Sequence, residues 1–215
     1  MSYDAVVFDN DGVLTTPTRR EARDRAVREA FASVGIVDPP EAHLETLVRP
    51  DVPALRAIAA AHDVSAETLW EARERAAIDA QVEEIRAGRK VLYDDVDALA
   101  ALEQPRAIVS NNQHETIGEI VSHFGLEGFD PWYGREPTVK GIERKKPTPY
   151  YLEKALADLE TTNALYVGDS EIDVIAADAC GIDSAFVWRS HREGYELEAE
   201  PTYEIDSLEE LTDLF

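Results

Sequence analysis

The first apolar block of the chain, Ala5-Val6-Val7-Phe8, is continuous rather than alternating, and it stops at Asp9-Asn10-Asp11-Gly12. A short unbroken run of this kind fits a parallel strand covered on both faces, so it predicts a strand that delivers two acids to its carboxyl end. From Arg19 the period lengthens: Ala22, Ala26, Val27, Ala30, Phe31 and Val34 fall on one helical stripe, which Gly35 ends. Asp38-Pro39-Pro40 reads as a turn, Glu41 to Val48 as a short helix, and Asp51 with Pro53 as the start of another. Ser65 is placed to N-cap a long Ala-, Glu- and Arg-rich helix that runs to Arg86 and stops near Gly88. No strand pattern occurs between Thr16 and Arg86, which predicts an all-helical insertion over residues 16–86.

After Gly88 the grammar changes. Val96, Leu99 and Ala100 mark a short helix, Ala107-Ile108-Val109 a second strand, and Ile117, Ile120, Val121 and Phe124 a helix that ends at Gly125. A helix carrying Leu152, Ala155, Leu156 and Leu159 leads to a strand at Ala164-Leu165-Tyr166-Val167. Next come a helix carrying Ile172, Ile175, Ala176 and Ala179, stopped by Gly181, and a strand at Ala185-Phe186-Val187-Trp188. Ser207 and Glu210 form a capping box for a last helix. Repeated strand–helix units imply an α/β protein with a mostly parallel, Rossmann-like sheet flanked by helices. That core comprises residues 1–15 and 87–215, interrupted by the small helical domain of residues 16–86.

Composition adds limits. The 215 residues are 44% hydrophobic and include three Trp, eight Tyr and six Phe, enough for a folded, soluble protein with a substantial core. No apolar stretch approaches the ~20 residues that span a bilayer, and the N-terminus lacks a signal-peptide pattern. Cys180 is the one cysteine, which rules out an intrachain disulfide and makes a cytoplasmic location the default expectation. A formal charge of −23 argues against nucleic acid or an anionic membrane as partner, and leaves monomer and homodimer both open. The acids are dispersed along the chain, and the bases are 16 Arg against 5 Lys. This pattern fits a halophilic surface, because at molar salt a Debye length of ~3 Å screens the self-repulsion. A merely acidic protein without salt adaptation is the alternative.

The polar residues next to the strands carry the chemistry. Asp9 and Asp11 follow the first strand, Ser110-Asn111 the second, and Gly168-Asp169-Ser170, with Asp173 one turn on, the third; Lys145-Lys146-Pro147-Thr148-Pro149 lies between, after no recognisable strand. Close carboxylates repel unless a cation lies among them or one holds a proton, a need that a hard ion such as Mg2+ meets. Taken singly, these are ordinary turns and solvated loops. Together they provide a nucleophilic carboxylate, a hydroxyl donor, a cation and a second acidic pair, the set that phosphoryl transfer requires.

On these residues the chain resembles the haloacid dehalogenase superfamily of phosphohydrolases, and within it the phosphoglycolate-phosphatase-like subgroup. The motifs are Phe8-Asp9-Asn10-Asp11-Gly12-Val13-Leu14, Val109-Ser110-Asn111, Lys146-Pro147-Thr148-Pro149 and Gly168-Asp169-Ser170-Glu171-Ile172-Asp173, in that order over almost the whole chain. The resemblance implies that Asp9 is the nucleophile and Asp11 the acid/base, with Ser110, the Asn111 backbone N–H and Lys146 on the phosphoryl group. It also implies Mg2+ held by Asp9, the Asp11 carbonyl and Asp169, with Asp173 acting through water, and a helical cap at residues 16–86 that closes over a small phosphorylated metabolite. One departure is Leu14-Thr15-Thr16-Pro17, where many relatives carry an acid–hydroxyl pair. This weakens transfer of any one substrate.

The expected function is therefore a Mg2+-dependent phosphatase working through an aspartyl phosphate. A phosphotransferase or sugar-phosphate mutase would keep the same residues, a carbon–halogen hydrolase would not need the acid at Asp11, and a phospho-ligand binding protein would not need the complete set. His43, His62, His114, His123 and His191 show no metal-ligand spacing and are expected to be structural or exposed. Cys180 and Trp70 are expected to serve packing.

Overall fold

The computed structural model describes residues 3–215. In chain order the regular elements are β1 (Ala5–Phe8), α1 (Arg20–Ser33), α2 (Glu41–Val48), α3 (Val52–Ala61), α4 (Ala66–Arg86), β2 (Arg106–Gln113), α5 (His114–Phe124) and β3 (Phe129–Arg135). They continue with α6 (Val139–Arg144), α7 (Tyr150–Asp158), β4 (Ala164–Gly168), α8 (Glu171–Cys180), β5 (Asp183–Val187) and β6 (Tyr203–Ile205). The strands form one sheet in the order β3-β2-β1-β4-β5-β6, and every pairing is parallel.

The continuous apolar runs of β1, β2 and β4 follow from their central places. Val6 and Phe8 of β1 point into one apolar cluster with Ile108, Leu165 and Ile117 of α5, while Ala5 and Val7 point into the other with Val109, Tyr166 and Leu152 of α7. With helices on both faces, a buried parallel strand has no polar side to present. Order reverses at β1, between β2 and β4, so the crevice beyond the ends of these three strands is where such a sheet binds ligands.

The insertion is helical throughout, from Arg20 to Arg86. Asp51 and Ser65 cap α3 and α4 through bonds to the Ala54 and Thr68 amides. Ala26 and Ala30 of α1 meet Ala76 and Ala80 of α4, small residues that let the two helices approach closely. Phe31, Leu44, Leu55, Leu69 and Trp70 make a core for the insertion, and Ile142 of α6 joins it from the sheet side. The chain leaves and returns through paired linkers: the Thr16 amide donates to the Val91 carbonyl (2.8 Å) and the Tyr93 amide to the Leu14 carbonyl (3.0 Å).

Several elements differ from the sequence reading. β3 lies at one edge of the sheet, where Pro131 can lack an N–H without breaking an interior ladder, and its interrupted pattern hides it. β6, at three residues, and α6, at six, are too short to show a period. The helices at Asp94–Ala101 and Leu208–Asp213 are 3-10 rather than α, the second started by the Ser207/Glu210 capping box.

Candidate active site

Lys146, 2% exposed, sits at the centre of the strand-end crevice. Its Nζ donates to Asp173 Oδ1 (2.7 Å), the Tyr166 hydroxyl (2.6 Å) and the Val109 carbonyl (3.1 Å), and lies 2.9 Å from Asp9 Oδ1. The Asp9 contact is one of charge at close range, outside hydrogen-bonding geometry. The loop that carries Lys146 is clamped by Asn111, whose side chain donates to the Lys146 carbonyl (3.0 Å) and accepts from its amide (2.8 Å). Asn111 thus positions the lysine, a role additional to the backbone N–H expected of it. Ser110, 2% exposed, stands one residue before it, and its hydroxyl accepts from the Asn112 amide (3.2 Å).

Asp9, Asp169 and Asp173 place one oxygen each within 4.8 Å of one another, the three-carboxylate group that a metal ion fits. Gly12, at φ 91°, lets this happen: a Cβ there would lie 2.3 Å from Asp169 Oδ2. Gly168 does the same for Asp173, whose Cβ would be 2.2 Å from the added atom. Asp173 is also the N3 member of the capping box that starts α8 at Ser170, its Oδ2 accepting from the Ser170 amide (3.1 Å) and hydroxyl (2.5 Å). Both of its oxygens are therefore engaged, one by Lys146 and one by the helix start.

Charge in this cluster is unbalanced. Burial pushes the Asp9 carboxyl up, Lys146 opposes the shift, and the neighbouring Asp173 and Asp169 add to it. Burial alone would push the Lys146 ammonium down, but Asp173 and Asp9 overcome it and hold the group well above the usual lysine value. Asp169 is held below the usual carboxylate range despite its burial, because His191 Nε2 (2.7 Å) and Arg192 Nε (2.9 Å) both bond its Oδ2. His191, expected to be structural or exposed, is exposed and bonds Asp169 from the short 3-10 helix Ser190–Arg192 that follows β5. The other imidazoles stay clear of the cluster: His43 and His62 bond each other in the insertion (2.9 Å), and His114 stacks on Trp132. Trp70 is 3% exposed with Arg135 and Arg73 over its ring, and burial against the α7/α8 face pushes the Cys180 thiol up to about 11.

Among the described residues the Asp11 carboxylate is bonded through a single oxygen. Its Oδ1 accepts from Lys90 Nζ (2.6 Å), Asn10 Nδ2 (2.7 Å), Asn112 Nδ2 (3.0 Å) and Thr15 Oγ1 (3.4 Å). Asn112 in turn bonds Gln81 of α4, so helix and sheet meet through this acid (3.1 Å). Lys90, Asn112 and Gln81 were missed from the sequence. The one available signal was the scarcity of lysine, which makes each of the five conspicuous.

A doubly wound α/β sheet with a buried acid, a second acid two residues on and a buried lysine gathered in the crevice beyond its strand ends has its charged groups where such sheets bind ligands. The chain belongs to the haloacid dehalogenase-like hydrolases, whose family model matches residues 3–181. A phosphoglycolate phosphatase of Cereibacter sphaeroides is 30% identical over 197 residues, 87% of this chain and 86% of that protein. A 5'-nucleotidase of Pseudomonas aeruginosa is 26% identical over 191 residues, 85% of this chain and 81% of that one. Among solved structures, CbbY of Rhodobacter sphaeroides in complex with phosphate superposes with a TM-score of 0.71 at 22% identity, covering 98% of this chain and 96% of that one. As a member of this family the chain is an enzyme.

Proposed function

We propose that this hydrolase is a Mg2+-dependent phosphatase that cleaves a small, soluble phosphate monoester through an aspartyl-phosphate intermediate. The observation that carries the reading is Asp9 at the end of β1, 2.9 Å from a buried Lys146, with the donor-laden Asp11 two residues on. Family membership and the phosphatase names of the relatives support it. Bound Mg2+ would be held by the Asp9 carboxylate, the Asp11 backbone carbonyl and Asp169, with Asp173 reached through water, and would neutralise phosphoryl charge as a Lewis acid.

An Asp9 oxygen attacks phosphorus, and the bond from phosphorus to the ester oxygen breaks as Asp11 gives that oxygen its proton. Lys146 offsets the repulsion between the carboxylate and the phosphoryl group, while Ser110 and the Asn111 N–H hold phosphoryl oxygens in line. Water then attacks the phosphorus and Asp11 takes its proton. The bond to Asp9 breaks, and inorganic phosphate leaves. Residues 16–86 act as a cap that excludes bulk water and selects the ester. With no helix of the described residues long and apolar enough to cross a membrane, and a charge of −23, we assign the work to small metabolites in the cytoplasm rather than to nucleic acid or lipid.

A panel of small phosphate esters, assayed with Mg2+ and with excess chelator on wild type and Asp9→Asn, tests this. Turnover should require the metal and fall by at least about a thousandfold in the variant, which keeps the shape of the side chain but loses the nucleophile. Full activity under chelation, or substantial turnover by Asp9→Asn, would reject the mechanism.

A further inference from the structure

Lys90 lies in the linker that returns from α4 to the sheet, four residues past the end of that helix, and is 1% exposed. An ammonium has three protons, and here three acceptors surround it: Asp11 Oδ1 (2.6 Å), the Thr16 carbonyl (3.0 Å) and the Thr18 hydroxyl (3.4 Å). Two of these belong to the outgoing linker and one to the acid itself. The backbones of the two linkers are paired beside it, the Thr16 amide with the Val91 carbonyl (2.8 Å) and the Val91 amide with the Thr16 hydroxyl (3.2 Å). Lys90 therefore bridges both hinge segments and Asp11 in one set of bonds.

The set has a direction. Among the described residues every hydrogen bond to the Asp11 carboxylate reaches Oδ1, from Lys90, Asn10, Asn112 and Thr15. With Oδ1 accepting from an ammonium and two amides, Oδ2 is the oxygen that has no such partner among the described residues. The side chain keeps 30% of its exposure, so that second oxygen is not sealed in.

We propose that Lys90 is a positioning residue for proton transfer: it turns Oδ1 of Asp11 toward the hinge, leaves Oδ2 to deliver and recover the proton, and does so only with the paired linkers in place. Alignment of the acid is thereby coupled to the seating of the helical insertion. This rests on Asp11 being the general acid, and the test separates the two ideas.

The readout is dependence on the leaving group. An alkyl phosphate needs a proton on its departing oxygen, whereas p-nitrophenyl phosphate releases a stabilised phenolate without one. For Lys90→Met, kcat on glycerol 2-phosphate should fall at least about thirtyfold with KM within about threefold, a loss confined to the step after binding. The same variant should still release nitrophenolate in a rapid burst, stoichiometric with enzyme, at a rate within about threefold of wild type. Asp11→Asn is the control and should show the same split more strongly. If Asp11→Asn shows no split, the assignment of the acid fails. If it shows the split and Lys90→Met loses both substrates equally, or neither, the role of Lys90 is overturned. Lys90→Gln, which keeps a donor without the charge, carries the comparison if the Met variant does not fold; failure of both to fold would make Lys90 a stability residue and would equally overturn the proposal.

Discussion

At the strand ends, Lys146 (2% exposed) meets Asp9 and Asp173, which are 8% and 1% exposed; on the face between α1 and α4, Arg19, Arg25 and Arg89 meet Glu83 and Glu84 with side chains that are 35–47% exposed on the arginine side. Both regions pair opposite charges at similar distances, yet in the second water reaches the arginines and Glu83, and only Glu84 is buried beneath them. In the first, the ions were desolvated when the chain folded, and what keeps them tolerable is mutual compensation. In the second, solvent does much of the compensating, and the pairs exposed on both sides, such as Arg25 with Glu83, add little. Closeness of contact is thus a poor guide to its worth. Compensation is least complete around Asp9, the acid to which the proposed mechanism gives the attack.

The sharpest way to break this contrast is Lys146→Met, which leaves Asp9 and Asp173 buried without their cation. Loss of one partner from a buried pair costs about 3–5 kcal/mol, so urea melts should show a drop of that order, with turnover lost as well. A drop below about 1 kcal/mol would mean that the cluster is wetter than its burial indicates.

Salt probes the surface side. The 44 acids against 21 bases repel one another in the folded state, so the melting temperature should climb by several degrees from millimolar to molar KCl, with most of the gain below about 1 M. The deficit of Lys146→Met should hardly change along the series, because buried pairs are little screened. A flat or falling wild-type curve would make the acidity incidental and the halophilic reading wrong.

The smallest effect belongs to Glu84. Its bonds from Arg19 and the weaker help of Arg89 hold its carboxyl down to about 2, against the opposition of burial. A depressed acid stabilises the fold at pH values above its unfolded value and loses that contribution as pH falls toward the folded one. Glu84→Gln should therefore melt about 2–4 °C below wild type at neutral pH, and the gap should close between about pH 4.5 and 2. A gap that persists at pH 2 would point to packing rather than charge.

How far the sequence could be read depended on where each residue's partners lie. Asp9 and Asp169 directly follow apolar strands and Ser110 directly follows the apolar run inside β2, which continues to Gln113, so a local pattern locates them, and the helical insertion showed itself by period alone. Lys90 has its acid partner 79 positions away, and His191 lies 22 positions from Asp169, beyond β5, so no local signal marks either. β3 failed for another reason: an edge strand has only one neighbour to satisfy, and Pro131 and Gly134 are tolerated there where a central strand would exclude them.

The pairing of Thr15 with Leu92 brings the start and finish of a long excursion to a single doorway in the sheet. Closing such a loop costs entropy that grows only with the logarithm of its length, roughly 0.6 kcal/mol for each doubling. The excursion is accordingly a replaceable part in entropic terms: its length can change at little cost while the sheet remains intact. Asp11, through Lys90 and the Asn112–Gln81 link, is one of the residues that register what has been mounted there, and Arg135 and Gln113, which both bond Glu74 of α4, are others. A different insertion mounted at this doorway would have to restore those contacts for the sheet side to stay as it is.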